Sequence, residues 1–162
     1  MLYLLQHKRN HMKLLLLITL FLTTTLFANF NVGDKLPDIT LLDQFNKKLK
    51  IEENDALVIM AFEKDTALII SDYLKAQPAS FLLEHQAKYI SDISAMPSFI
   101  SSVFALPKMK KYPFSIMLIN DDFGKQFNHL KGKVTIFKLK KQQIKAIDFI
   151  SPETLPTLFK KQ

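Results

Sequence analysis

The fold depends most on residues 56–66, which read Ala-Leu-Val-Ile-Met-Ala-Phe-Glu-Lys-Asp-Thr. The first seven are apolar, and this length and their branched side chains predict a strand buried on both faces, as in a parallel sheet. The charged residues that follow end the strand, and Asp65 or Thr66 can cap the next helix. Ala67, Ile70 and Leu74 then recur at helical spacing, so we expect a helix that ends near residue 77.

Further strands surround this unit. Residues 39–42 and 47–51 predict an N-terminal β-hairpin, with Asn46 in the left-handed conformation at its turn. Apolar runs predict four more strands, at residues 87–93, 114–119, 134–139 and 144–150. The sequence therefore predicts a single α/β domain over residues 29–162, with a mixed central sheet flanked by helices.

Two further helices are expected from proline positions. Pro97 suits the first position of one helix, and Pro107 ends or kinks it. Ser151 suits the cap of a terminal helix, with Pro152 at its first position. The apolar face of the helix after Pro97 consists of Phe99, Ile100, Val103 and Phe104.

Residues 1–28 follow a different plan from the rest of the chain. They contain three basic residues and no acidic one, with an apolar run from Leu14 to Leu22 and a polar stretch before Ala28. That order is typical of a cleaved secretory signal peptide, whereas a membrane span needs about 20 apolar residues. Met12 directly precedes Lys13 and the apolar run, which favours Met12 as the true start. An uncleaved segment that tethers the domain to the inner membrane is the alternative.

Beyond residue 28 the chain is basic through lysine alone. Three of the 22 basic residues precede residue 29, which leaves 19 lysines against 15 acidic residues and a net charge of +4. Proteins that read nucleic acids usually use Arg for bidentate contacts with bases and phosphates, so no nucleic-acid partner is expected. The lysines are interpreted as a solvated surface, and attraction to anionic lipid or to an acidic partner is the alternative.

Two parts of the sequence carry a resemblance to known proteins. Residues 33–38, Gly-Asp-Lys-Leu-Pro-Asp, followed by residues 41–44 and a turn, resemble the opening of redoxin-type thioredoxin-fold proteins. Residues 89–97 and 104–109 resemble a narrower family of small secreted proteobacterial proteins that lack the Cys-x-x-Cys motif. Members are sometimes labelled FAD/FMN-containing dehydrogenases. The resemblance covers most of residues 31–159 and implies a thioredoxin-like fold in the periplasm of a Gram-negative bacterium, but little about activity.

The residue types present argue against the common chemistries. The chain has no cysteine, which excludes thiol-disulfide exchange and thiol peroxidase chemistry by this chain. Its three glycines open no βα unit, so neither a dinucleotide turn nor a P-loop is expected, and no cofactor is predicted. His85 and His129 lie far apart in the sequence, so no metal site is predicted. No catalytic residue is assigned.

These exclusions favour a non-catalytic periplasmic domain that acts as a binding or accessory module for a protein or peptide. The alternative is an oxidoreductase-related protein that uses a bound cofactor instead of its own thiols. A visible flavin spectrum of the purified protein would distinguish the second from the first. Contact with a membrane is expected only through an uncleaved signal segment.

The expected binding edge lies at the carboxyl ends of the parallel strands, where ligands meet open α/β sheets. In thioredoxin folds a cis-proline precedes the strand that faces the first helix, so the resemblance favours a cis Tyr112–Pro113 bond beside residues 63–66. Tyr and Met offer contact area without fixed polar geometry, which suits a peptide or protein surface. The alternative is that Asp65 or Thr66 only caps a helix and that Met96 only fills the core. The predicted partner-binding residues are Glu63, Lys64, Asp65, Thr66, Met96, Pro97, Tyr112 and Pro113.

Overall fold

The structure, a computed structural model, describes residues 29–160. The predicted signal peptide and its cleavage after Ala28 lie outside the described residues. Among the helices that the structure does describe, none is long and apolar enough to cross a membrane.

Within residues 29–160, seven strands, β1 to β7 in chain order, form one mixed sheet in the order β2-β1-β5-β4-β3-β6-β7. β3, β4 and β5 are parallel, and the other neighbouring pairs are antiparallel. The predicted N-terminal hairpin is β1–β2, and Asn46 at its turn has a φ of 63°, as predicted. The strands are β1 Thr40–Asp43, β2 Lys48–Lys50, β3 Leu57–Ala61, β4 Ala87–Asp92, β5 Met117–Ile119, β6 Val134–Lys140 and β7 Gln143–Ile150.

Helices connect the parallel strands. α1 joins β3 to β4, together with the short α2, and a second helical stretch joins β4 to β5. We call residues 98–109 the outer helix; it consists of α3, a π-helical stretch at Ser101–Ala105, and α4. Two 3₁₀ helices follow, at Asp122–Gln126 and Pro152–Phe159. The α-helices are α1 Lys64–Lys75, α2 Phe81–Glu84, α3 Ser98–Ile100 and α4 Leu106–Met109.

β3 shows why this apolar run is central. Successive side chains of a strand point to opposite faces of the sheet. Val58 and Met60 accordingly belong to one core cluster, and Ile59 and Ala61 belong to the other. The second cluster also contains Ile70 and other residues of α1, so that helix covers its face of the sheet. Because both faces of the sheet are covered, the sequence of β3 is continuously apolar and does not alternate between apolar and polar residues.

The start of α1 differs from the prediction. The N-cap residue is Glu63, in extended conformation, and it makes no side-chain capping hydrogen bond. Asp65 is exposed in the first turn, and Thr66 is buried. The predicted cap at Asp65 or Thr66 is wrong because the helix begins at Lys64, which places both residues inside its first turn.

β5 is shorter than the predicted strand at residues 114–119. The side chain of Gln44 takes the place of a neighbouring strand at its start. Its amide nitrogen donates to the Phe114 carbonyl at 2.7 Å, and its oxygen accepts from the Ile116 amide at 2.8 Å. The backbone there is satisfied by one buried side chain, so it forms no ladder.

The two proline-containing helices also depart from α geometry. Pro107 lies within the outer helix, which is a π-helix over the residues before it. Ser151 and Pro152 occupy the predicted cap and first position of the terminal helix, but that helix is 3₁₀ and contains Pro156. Proline has no N–H to donate, so a regular α-helical ladder cannot continue through it.

Candidate binding groove

A groove of about 510 Å³ lies between α1 and the outer helix, at the carboxyl ends of β3 and β4. Three parts of the chain line it: residues 62–71 at the start of α1, residues 89–96 of β4 and its following loop, and residues 100–112. Apolar and aromatic side chains predominate in the lining. The groove is therefore at the edge where parallel sheets present their loops to ligands.

Glu63 joins the start of α1 to a distant loop. Its carboxylate accepts a hydrogen bond from the Gly132 amide at 2.8 Å. Gly132 has a φ of +70°, a conformation that glycine adopts without strain. Gly132 lies just before β6, which pairs antiparallel with β3. This bond therefore fixes the mouth of the groove on the β6 side.

The floor of the groove is formed by buried hydroxyl groups. The Tyr89 hydroxyl donates to the Ala67 carbonyl at 3.3 Å. Burial raises the pKa of the Tyr89 phenol, and hydrogen bonds with Ser71 and Ser91 lower it only in part. Tyr89 is accordingly a neutral phenol near pH 7. The floor offers hydroxyl groups and no charge.

Asp92 stands at the end of β4 in a tightly packed position. Its Oδ1 accepts from the Ser94 amide at 2.8 Å, which turns the chain after the strand. Gly124 lies against the same carboxylate, and a Cβ there would stand 1.8 Å from Asp92 Oδ2. Only glycine fits at residue 124 without displacing that side chain. The Asp92 carboxylate therefore stabilises the backbone turn at the edge of the groove.

Tyr112 gives the outer wall a rigid aromatic surface. Its ring stacks on Phe114 with a centroid separation of 5.4 Å. Lys75 Nζ lies 5.3 Å from the Tyr112 ring centroid, a cation–π arrangement. Lys75 also forms an ion pair with Asp72 at 2.6 Å. The wall therefore presents an aromatic ring whose position is set on two sides.

No protein-family model matches the sequence, and no curated protein is similar to it. Similar solved structures do exist, and all of those below share under 20% identity with the chain. A peroxidoxin from Mycobacterium tuberculosis has a TM-score of 0.54 and 15% identity, covering 80% of this chain and 94% of that one. A thio-disulfide isomerase from Thermus thermophilus has a TM-score of 0.50 and 18% identity, covering 80% and 94%.

The thioredoxin domain of a thiol-disulfide oxidoreductase from Bacteroides vulgatus has a TM-score of 0.50 and 14% identity, covering 80% of this chain and 96% of that one. The fold is thioredoxin-like. The predicted fold class, a mixed sheet flanked by helices with an N-terminal hairpin, is confirmed. At these identities the likeness shows the fold alone, and the thioredoxin-like fold here contains no cysteine.

The structure brings half of the predicted site residues together in the groove. Of the eight predicted residues, four line the groove: Glu63, Lys64, Met96 and Tyr112. The other four do not line it. Asp65 is exposed, Thr66 is buried in the first turn of α1, Pro97 precedes the outer helix, and Pro113 is exposed.

The expected cis bond at Tyr112–Pro113 is wrong. No peptide bond among the described residues is cis, so this bond is trans. Pro113 precedes β5, which lies between β1 and β4 and not beside β3. The loop that reaches the start of α1 is the one before β6, through Gly132. The side chain of Tyr112 still lines the groove. The trans bond counts against a binding edge at Pro113 like the one that the cis-proline forms in thioredoxin folds.

Several groove residues escaped the sequence analysis. On α1, Ser71 lies one turn after Ala67 and two turns after Lys64. Helical spacing alone could therefore have placed these three residues on the same face of the helix. Tyr89 lies inside an apolar strand, and its hydroxyl gave no sign of which helix it would meet. Phe104 belongs to the predicted apolar face of the helix after Pro97, and the structure exposes it at the rim of the groove.

Both histidines beyond residue 28 pack on aromatic rings. His129 stacks on Phe62 with a centroid separation of 4.3 Å, and His85 lies 4.5 Å from Phe81. No group of three potential metal-ligating side chains occurs within residues 29–160. The geometry thus gives each imidazole a packing partner.

Proposed function

We propose that this protein is a periplasmic binding module that holds an extended, partly apolar segment of a protein partner in the groove, without thiol chemistry of its own. The observation that carries the proposal is the composition of the groove. Its walls offer aromatic, aliphatic and thioether side chains, and its floor offers the hydroxyl groups of Tyr89, Ser71 and Ser91.

This combination supports peptide recognition more than turnover of a small polar substrate. Aromatic and methionine side chains give contact area that adapts to different partners. The two carboxylates in the groove, Glu63 and Asp92, each accept a backbone amide, so their described contacts are structural. Burial raises the pKa of the Tyr89 phenol further above neutral pH. The start of α1, where thioredoxin-type catalysis needs a thiolate, reads Glu63-Lys64-Asp65.

The proposed periplasmic location rests on the sequence of residues 1–28. Their basic start, short apolar run and small residue at position 28 support export and cleavage. Mass spectrometry of the exported protein should give an N-terminus at or near Asn29. Full-length protein retained in the membrane fraction would contradict the cleavage and support the tethered form.

A displayed peptide library, selected on residues 29–162, tests the binding function. Selected peptides should share aromatic or aliphatic positions, and the affinity of the best one is measured by fluorescence polarisation. Replacing Tyr112 or Met96 by Ala should weaken that affinity by about tenfold or more, because both replacements remove contact area inside the groove. Leu83→Ala is the matched control, since Leu83 is exposed and does not line the groove.

The melting temperature of each variant separates binding from folding. Loss of affinity with an unchanged melting temperature supports the groove as the binding site. Equal loss in the Leu83→Ala control, or selected peptides that bind the groove variants as well as the wild type, would contradict the proposal.

A further inference from the structure

The outer helix is apolar but unburied. None of its residues is buried, although its sequence contains two phenylalanines and two branched aliphatic residues in its first seven positions. The exposed fractions are 65% for Phe99, 42% for Ile100, 47% for Val103 and 61% for Phe104. Contiguous exposed apolar groups of this kind mark interaction surfaces in soluble domains.

The exposed side chains extend beyond the groove. Ile100 and Phe104 line its rim, whereas Phe99 and Val103 do not line it and lie about one turn apart on the helix. Phe99 and Phe104 touch edge to face, with centroids 6.3 Å apart. The groove therefore accounts for only part of this surface, and Phe99 and Val103 are exposed to solvent outside it.

Positive charge accompanies the apolar surface. Lys108, Lys110 and Lys111 lie at the end of the outer helix and are exposed. No Asp or Glu occurs anywhere from Ile93 to Asn120. None of the salt bridges between described residues involves these three lysines. Unpaired cations thus adjoin projecting aromatic side chains.

We propose that the outer helix docks this domain on the surface of an anionic phospholipid bilayer. Phe99 and Val103 would enter the boundary between headgroups and acyl chains, and the three lysines would contact the anionic headgroups. A bilayer offers an apolar layer and negative charge side by side, and it needs no shape complementarity. That matches a helix with no buried residue and a group of exposed apolar side chains better than a protein interface does, because a protein interface requires close packing.

This inference goes beyond the peptide groove and does not depend on it. It also differs from tethering through residues 1–28, because it places the membrane contact within the folded domain. Residues 29–162 are used for its test, since the buried core residues of the described part of the chain all lie between Leu36 and Leu155. Removing residues 1–28 also removes an apolar run that would bind vesicles by itself.

The first experiment uses tryptophan as a depth reporter, because the chain contains none. Val103→Trp is mixed with vesicles of phosphatidylcholine and phosphatidylglycerol, and its emission should shift to shorter wavelength as the indole leaves water. Leu83→Trp, at a position 78% exposed in the free protein, should not shift. Absence of a shift at residue 103, or an equal shift at residue 83, would overturn the proposal.

The second experiment measures the partition coefficient by co-sedimentation. Phe99→Ser with Val103→Ser should lower it at least about tenfold, because two apolar groups no longer enter the bilayer. Replacing Lys110 and Lys111 by Gln should lower it about fivefold for each lysine, and neither of these two lysines lines the groove. Lys140→Gln with Lys141→Gln, at the exposed turn between β6 and β7, is the charge-matched control and should leave it unchanged.

The outcomes separate a bilayer from a protein partner. Binding to anionic vesicles that weakens in the outer-helix variants, while the selected peptide still binds, supports docking on the membrane. Vesicle binding that is equal in the variants and their controls overturns it. Loss of peptide binding in Phe99→Ser without any vesicle binding by the wild type would assign this surface to a protein instead.

Discussion

α1 and the outer helix have the same length and the same topological role, but only one of them is buried. α1 has 12 residues, and the three stretches of the outer helix have 3, 5 and 4. Each leads from one parallel strand towards the next. Four residues of α1 are buried, and none of the outer helix is. Apolar content therefore does not decide which helix joins the core.

The difference comes from what lies opposite each helix. α1 packs beside the terminal 3₁₀ helix, where Leu155 is fully buried and Phe159 stacks near Tyr73 at 6.1 Å. Among residues 29–160 no comparable element covers Phe99 and Val103. A helix is buried when distant parts of the chain supply a second layer over it, and the outer helix has the groove on one side and solvent on the other.

The largest predicted effect contrasts one apolar residue of each helix, Ile70 of α1 and Phe99 of the outer helix. Ile70→Ala should lower the free energy of unfolding by about 2–5 kcal/mol, because it opens a cavity beneath α1. Phe99→Ala should change it by less than about 0.5 kcal/mol, since Phe99 is already in water. Urea denaturation of both variants measures the contrast. A cost for Phe99→Ala as large as that for Ile70→Ala would mean that the outer helix is buried in solution.

The next effect concerns the contact where β4 ends and the chain turns towards the outer helix. Gly124→Ala should cost about 1–3 kcal/mol, because the new methyl group displaces the Asp92 carboxylate. Hydrogen exchange should quicken in residues 93–112 and stay unchanged in α1. Adding Asp92→Ala should recover part of the lost stability. A double variant no more stable than Gly124→Ala alone would show that this contact is not the cause.

A smaller effect tests the attachment of α1. Glu63→Ala should cost about 0.5–1 kcal/mol, because the Gly132 amide loses its acceptor at a partly exposed site. Glu63→Gln keeps an acceptor oxygen and should retain most of that stability. Thermal denaturation of the two variants is the measurement, with exposed Glu53→Gln as the control. Equal losses for Ala and Gln would show that charge, and not the hydrogen bond, matters here.

The smallest effect lies away from both helices, just before β3. Burial raises the pKa of Asp55 above its ordinary value of 3.8, and the Glu52 amide and Lys88 oppose this only in part. The folded state then binds the proton more tightly than the unfolded chain does. The contribution of Asp55 to the free energy of unfolding should therefore fall as pH rises from 3.8 through the raised pKa.

Asp55→Asn should remove that part of the pH dependence. The measurement is the free energy of unfolding at a series of pH values from about 3 to 7, where aspartates titrate. Asp65→Asn, at an exposed position, is the matched control and should keep the wild-type profile. An Asp55→Asn profile that matches the wild type would contradict the assigned direction.

Local patterns in the sequence were enough to predict most elements of the fold. The continuous apolar run at residues 56–62 predicted β3, and helical spacing predicted α1, because burial on two faces or on one leaves a period in the sequence. Asn46 predicted the turn of the β1–β2 hairpin, because asparagine tolerates the left-handed conformation. The absence of cysteine excluded thiol chemistry whatever the fold. Half of the predicted site residues also line the groove, because loops after parallel strands share one edge of the sheet.

Only the tertiary structure decided how those elements meet. The sequence could not show that the loop before β6, and not Pro113, reaches the start of α1, because strand order depends on contacts across about 70 positions of the chain. Nor could it show that the apolar outer helix stays exposed. A residue's own type sets how much burial would stabilise it, but whether it is buried depends on which distant residues come to cover it.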